Sequence, residues 1–334
     1  MTGPQANWLP DGRRLHLNHG PIDLVVEAFG DAVEVQAAYR QCAARFETIL
    51  PELVEELPEL RRPTGKQPRP FAGPTARRME AAVAPLAERF ITPMAAVAGS
   101  VADEMLEATV LGRALCRAYV NDGGDIALYI APGERIDAAI AGTGRADRLT
   151  IRAEDRVRGI ATSGWRGRSF SLGIADAVTV LAVSAAAADA AATLIANAVD
   201  LPGHPAIARR PARQLAPDSD LGERPVTTAV GPLSAPEVAA ALDAGLQVVE
   251  DFRRRGLIEA AALFLGRDAR FSGLLPSHPA AAWPSSLRLG EEASAVASTL
   301  LPSHDIDPGT EAAQRGPGVG KKTVSMPTKE FDHA

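Results

Sequence analysis

The chain is poor in aromatic residues, in cysteine and in surplus positive charge. Only 4% of its 334 residues are Phe, Trp or Tyr, so alanine and valine rather than rings must fill the interior. Its two cysteines, Cys42 and Cys116, form no spacing motif. So few of them fit a reducing compartment. The net charge of -6 carries no basic excess to draw the chain to nucleic acid or to an anionic membrane. The first residues lack a basic segment followed by an apolar one, so no secretory signal is read and a cytoplasmic location is expected. Long apolar runs are missing too. The most apolar window, Ile174 to Val199, is interrupted by Asp176, Ser184 and Asp189. It reads as a strand followed by a buried helix rather than a membrane span.

What is present is enough for one large domain or two smaller ones with a real core, since 46% of the residues are hydrophobic. Residues 13–17 and 22–27 alternate around an Asn-His-Gly-Pro turn and read as two short strands. Helical spacing runs from Asp31 to Leu50, with Val33, Val35, Tyr39, Cys42 and Phe46 along one face. Pro51 is expected to open a second, acidic helical piece. Pro63 to Pro74 reads as a proline-rich loop, and Thr75–Phe90 and Met94–Val110 as helices. Strand-like segments follow at 117–120, 126–130, 147–152, 159–161 and 175–183. Ser184 is a plausible N-cap for a helix over 185–198. Residues 224–229 read as a strand, 235–254 as a long amphipathic helix stopped at Gly256, and 257–266 as an apolar strand. Beyond about Arg270 the periodicity fades, and 303–334 read as disordered. Gly316–Thr323 has the glycines and lysines of a phosphate loop but not its spacing. No repeat of fixed period is visible.

Three constellations carry polar groups near glycine. Asp122 and Asp125 flank Gly123-Gly124, which is either a plain hairpin turn or a place where bare backbone meets a ligand. Thr162-Ser163-Gly164 ends a strand and is followed by Arg166 and Arg168. Hydroxyls, amides and two guanidinium groups suit a phosphate or carboxylate, although a solvated loop has the same composition. Asp189 and Thr193 lie four apart in an alanine-rich helix and share one face. A carboxylate and a hydroxyl there suit a hard cation such as Mg²⁺. They also suit ordinary helix chemistry, an acid near the N-terminus and a threonine bonded back one turn. His16 and His19, beside Gly20, read as turn histidines.

The order of these motifs is similar to that in the ApbE superfamily of flavin transferases. Val120-Asn-Asp-Gly-Gly-Asp-Ile126 comes first, then Gly159-Ile-Ala-Thr-Ser-Gly164, then Ala188-Asp-Ala-Ala-Ala-Thr193. The passages His19-Gly-Pro-Ile-Asp-Leu24, Pro93-Met-Ala-Ala-Val-Ala-Gly-Ser100 and Ser163-Gly-Trp-Arg-Gly-Arg-Ser169 resemble the uncharacterised UPF0280 branch more closely. The resemblance covers roughly residues 13–266. It implies an α+β, T-fold-type architecture with mixed or antiparallel sheets and packed helices. The corresponding domain would run over 1–268, with a low-order extension over 269–334. It also implies that Mg²⁺ is held by Asp189, Thr193 and a backbone carbonyl near Val97 or Ala98. FAD or FMN would be the ligand, contacted by Asp122, Gly123, Gly124, Asp125, Thr162, Ser163, Gly164, Arg166 and Arg168. One departure stands out. The superfamily carries a His-x-x-Asp-Pro-x-Thr-Gly loop soon after Thr-Ser-Gly, where this chain has Ser171-Leu-Gly-Ile-Ala-Asp176.

These readings lead to a cytoplasmic protein that binds a flavin or a related phosphate-bearing small molecule, with Mg²⁺. Nucleic acid and membrane are not expected partners. Two alternatives remain open at this point. One is an active FMN transferase or FAD-cleaving enzyme. The other is an accessory protein that delivers a cofactor to a partner oxidoreductase.

Overall fold

Alternation builds the sheet. In residues 22–29, Ile22, Leu24, Val26 and Ala28 are buried on one side, while Val25 and Phe29 face the other. The computed structural model describes residues 3–65, 67–139 and 148–273. The segment 303–334, the Gly316–Thr323 stretch and all of the expected extension past residue 273 lie outside the described residues.

Thirteen strands are described: β1 (Gln5–Trp8), β2 (Leu15–His19), β3 (Ile22–Gly30), β4 (Leu115–Asp122), β5 (Asp125–Ile130), β6 (Arg135–Ala139), β7 (Arg148–Arg152), β8 (Gly159–Ser163), β9 (Ala177–Ala182), β10 (Ile207–Pro211), β11 (Pro225–Val230), β12 (Ala260–Leu265) and β13 (Asp268–Ser272). Nine of them form one sheet in the order β1-β2-β3-β4-β5-β8-β9-β12-β13. Every pairing is antiparallel, so the expected mixed or antiparallel sheet is wholly antiparallel. The hairpins β6-β7 and β10-β11 stand apart from it. The helices are α1 (Ala32–Leu60), α2 (Pro74–Val83), α3 (Val97–Val110), α4 (Ala185–Ala198), the short α5 (Ala212–Leu215) and α6 (Ala235–Arg254). The fold is α+β. No helix among the described residues is long and apolar enough to cross a membrane.

Two stretches repeat one order of elements: β2-β3-α1-α3-β4-β5 and β8-β9-α4-α6-β12-β13. They meet where β5 pairs with β8 through Ile126↔Ile160 and Ala127↔Gly159. Helices α1, α2 and α3 cover the first part of the sheet, burying Phe46, Ile49, Met79 and Met105 against Leu24, Val26 and Val120. Helices α4 and α6 cover the second, with Phe252 and Ile195 against Val178, Val180 and Leu263. Residues of the opposite face, among them Tyr119, Leu128, Leu181 and Phe264, pack with Ile136, Leu149 and Ile151 of the β6-β7 hairpin. The interior is as alanine-rich as the composition demands: Ala185, Ala188, Ala190, Ala191, Ala192 and Ala196 are fully buried.

Some expected boundaries move. Helix α1 runs through Pro51 and Pro58 without a break. Proline removes one hydrogen bond, but the buried stripe of Phe46, Ile49, Leu53 and Leu60 continues across it. The expected helix over 75–90 stops at Val83, and a 3₁₀ turn over Ala84–Leu86 carries Pro85. A second 3₁₀ turn, Pro93–Ala96, precedes α3. Strands β1, β6, β10 and β13 were not legible as strands. The pairing of β13 with β12 carries the sheet through Ser272, past the boundary expected at residue 268. Helices α4 and α6 keep the predicted limits.

Candidate functional site

The site is built around the end of β4. Asp122 pairs with Asp125 across the sheet, which leaves Gly123 and Gly124 as a two-residue turn. Their φ angles, +63° and +114°, are ones that glycine adopts without a steric penalty. The Asn121 side-chain carbonyl accepts the Gly124 N–H at 2.9 Å. The hairpin-turn reading of this motif is therefore right about the backbone. The side chains do something further. Strand alternation puts Asp122 on the same face as Ala118 and Val120, toward the helices, and both Asp122 and Asp125 are buried.

Two carboxylates, Asp125 and Asp189, meet there, and the charge of a third, Asp122, acts on both. Asp125 Oδ1 accepts the Thr162 N–H at 3.2 Å, because β8 runs antiparallel beside β5 and its end lies next to the turn. The Asp125 carboxyl also reaches that of Asp189, one turn into α4. Asp189 Oδ2 in turn accepts the Gly99 N–H at 3.0 Å, in the first turn of α3. Burial, and then the Asp125 charge, push the Asp122 carboxyl up to about 7, with Arg168 opposing the shift. Asp125 is raised well above the ordinary range by burial and next by Asp189. Asp189 is raised by burial and by Asp122, with the Gly99 N–H opposing. The pattern is one of like charges confined together with little compensation.

A second carboxylate works in the reverse direction. Asp103 of α3 accepts the N–H groups of Ala185 and Ala186 at 3.0 and 2.9 Å, beside the Ser184 cap on Ala187. Each helix thus supplies an acid to the other's N-terminus, where free N–H groups and the helix dipole favour negative charge. The crossing is close because Gly99 has no side chain. A Cβ there would run into the Ala185 backbone, and one at Gly159 would run into Ser184 and Ala185.

The remaining expected residues divide. Thr162 joins the site through its N–H, while its hydroxyl meets that of Thr179 at 2.9 Å. Arg168 comes to the turn, where its guanidinium lies against Gly123. Arg166 goes elsewhere: its Nε donates to Asp176 at 2.8 Å, and it stacks over Trp165 at 4.7 Å. The two arginines therefore part, Arg168 to the β4–β5 turn and Arg166 to Asp176 and Trp165. Ser163 ends β8 opposite Val178, and Gly164 packs its α-carbon against the Asp176 backbone. Thr193 is half-buried one turn beyond Asp189, and Ala98 is half-buried at the start of α3. What meets Asp189 from that segment is the Gly99 N–H rather than a carbonyl. His16 is bonded to Asp23 at 3.0 Å, and His19 packs on Phe46. Sequence reading missed Gly99, Asn121 and Asp103. Gly99 lies within Pro93–Ser100, but nothing in that sequence marks its N–H as a partner for Asp189.

Among the described residues no group of three or more His, Cys, Asp and Glu is gathered to hold a metal. A cation here would take the neighbouring carboxylates of Asp125 and Asp189 and fill its shell with other oxygens. Mg²⁺ is commonly bound in that way, by one or two carboxylates, water and ligand phosphate. The donors are all oxygen, so the residues fit a hard cation.

A protein-family model described as AbpE bacteria matches residues 6–271. A UPF0280 protein of Methanococcoides burtonii is 35% identical over 117 residues, 34% of this chain and 48% of its own length. A UPF0280 protein of Methanosarcina acetivorans is 39% identical over 114 residues, 33% of this chain and 44% of its own length. The chain thus spans about half the length of the curated relatives it matches. Among solved structures, the apo form of the flavinyl transferase ApbE from Pseudomonas stutzeri is 15% identical. Its TM-score is 0.30, over 74% of this chain and 73% of that one, a likeness too slight to carry an argument.

Proposed function

The chain belongs to the family described as AbpE bacteria, and from that premise we propose that it binds a flavin nucleotide or a related phosphate-bearing ligand together with a hard divalent cation such as Mg²⁺. The cation would sit at Asp125 and Asp189, with Thr193 as a further oxygen donor, and the ligand over Gly123, Gly124, Thr162 and Arg168. The observation that supports this most is the convergence of Asp125, Asp189 and the Thr162 N–H at a glycine turn covered by a guanidinium. A divalent cation would neutralise the crowded carboxylates, and a phosphate would complete its shell and pair with the arginine. The proposed place of action is the cytoplasm.

Binding without transfer is the favoured form. At the position of the superfamily's His-x-x-Asp loop the chain has Ser171–Asp176, and Asp176 is already engaged. Its oxygens accept from Arg166, Trp165 and the Gly266 N–H at 2.8, 3.2 and 2.7 Å. The alternative, an FMN transferase or FAD-cleaving enzyme, draws support from Asp122. A carboxyl group raised to about 7 is suited to exchanging protons near neutral pH.

Titration of the purified full chain with FAD and FMN, with and without Mg²⁺, followed by mass measurement of the nucleotide, tests the two readings. Saturable, Mg²⁺-dependent binding that returns intact FAD, and is lost in Asp189→Ala, supports the binding protein. Release of FMN from FAD, abolished by the same substitution, supports the enzyme. Absence of binding to either flavin overturns flavin as the ligand in both readings. Co-purification with an oxidoreductase would then favour an accessory role.

A further inference from the structure

Arg168 brings a cationic side chain to the turn, and among the described residues it forms no ion pair. It sits in an exposed part of the loop after β8. Its guanidinium folds back over Gly123, so closely that a Cβ on that residue would collide with it. Gly123 lies between Asp122 and Asp125, both buried, and the Asp125 carboxyl reaches that of Asp189. A positive group thus rests on the bare backbone between two acids. Arg166, two residues earlier, is held by Asp176 and Trp165 and is not available for that position.

We propose that Arg168 is a tethered stand-in for the divalent cation: it covers the Gly123–Gly124 turn while the carboxylates are unneutralised, is released when a cation enters between Asp125 and Asp189, and then pairs with the ligand phosphate. This rests on the reading that the site takes a cation and a phosphate-bearing ligand. Two like charges cannot share the turn without repulsion, so cation uptake and Arg168 docking exclude one another. The released guanidinium is planar and permanently charged, and it matches a phosphate with two parallel hydrogen bonds. The cation therefore binds first and makes the anion receptor available. A glycine at position 123 serves this device twice. It allows the positive φ of the turn, and it leaves the flat surface on which the guanidinium lies.

Mn²⁺ alone is the probe. The full chain, Arg168→Gln and Arg168→Lys are titrated with Mn²⁺ at pH 8 without nucleotide, and free Mn²⁺ is followed by electron paramagnetic resonance. Removing a competing cation should tighten Mn²⁺ binding by about tenfold in Arg168→Gln. Arg168→Lys, which keeps the charge, should stay close to the parent protein. Equal or weaker binding in Arg168→Gln overturns the role given to Arg168 and leaves the cation site standing. Failure of all three proteins to bind Mn²⁺ overturns the cation site and the stand-in together. Melting temperatures confirm that the variants are folded, as expected for changes to an exposed side chain.

Discussion

At the scale of single residues, the site is a problem of unneutralised charge. Asp122 has an ordinary value of 3.8 and is raised to about 7. Between those two values the folded chain holds a proton that the unfolded chain has released. Stability is therefore present in full below about 4 and declines as the pH rises toward 7, by at most about 1.4 kcal/mol per pH unit for one group. Asp125 and Asp189 shift in the same direction. In buffer containing a chelator, the melting temperature should fall between pH 5 and pH 8. Asp122→Asn should flatten that fall by raising the melting point at pH 8, at about 2–4 °C per kcal/mol in a domain of this size. A melting point that climbs across the window would show that the carboxylates are compensated by something other than shared protons. Several residues that the structure gathers at the turn were legible. Glycine beside Asp122 and Asp125, and an acid in an alanine helix, are visible in the sequence. What was not visible is that they adjoin, because 64 positions of chain separate Asp125 from Asp189 and only the sheet order brings them together.

At the scale of elements, the site depends on two helices that start at one crossing. Alanine-rich α4 and glycine-containing α3 approach closely enough for Asp189 to receive the Gly99 N–H and for Asp103 to receive those of Ala185 and Ala186. Gly159 underlies the same crossing, with the α4 start directly against it. Gly159→Ala should therefore displace backbone rather than a side chain. Overpacking of this kind typically costs about 1–3 kcal/mol. The variant's denaturation midpoint in urea should drop with little change in slope, and cation binding should weaken with it. An unchanged midpoint would mean that α4 can tilt away freely. The limits of α4 and α6 could be read from Ser184, Gly256 and the apolar stripes. The course of α1 could not, because Pro51 is a local stop signal that long-range burial overrides. Strands β1, β6 and β13 alternate polar and apolar residues, but over only four or five positions, too few to stand out from a loop, and β10 has no such alternation.

At the scale of the whole molecule, the described sheet consists of two similarly ordered halves without a sequence repeat to announce them. Core positions tolerate any apolar residue of suitable size, so topology can persist where residue identity does not. The sheet seam itself is slight, two register pairs between β5 and β8. The firmer join is the α3–α4 crossing and the acids that cap it, and Asp125 and Asp189 straddle that join from opposite halves. A cation bound there would link the halves and stabilise both, by an amount that grows with the logarithm of its concentration above the dissociation constant. Differential scanning calorimetry of the full chain should accordingly show the two halves melting in one transition. Raising Mg²⁺ from none to roughly a hundredfold above its dissociation constant should move the transition upward as a unit by several degrees. A melt that splits into two, with only one part responding to Mg²⁺, would show that the cation belongs to a single half and that the carboxylates do not bridge the seam.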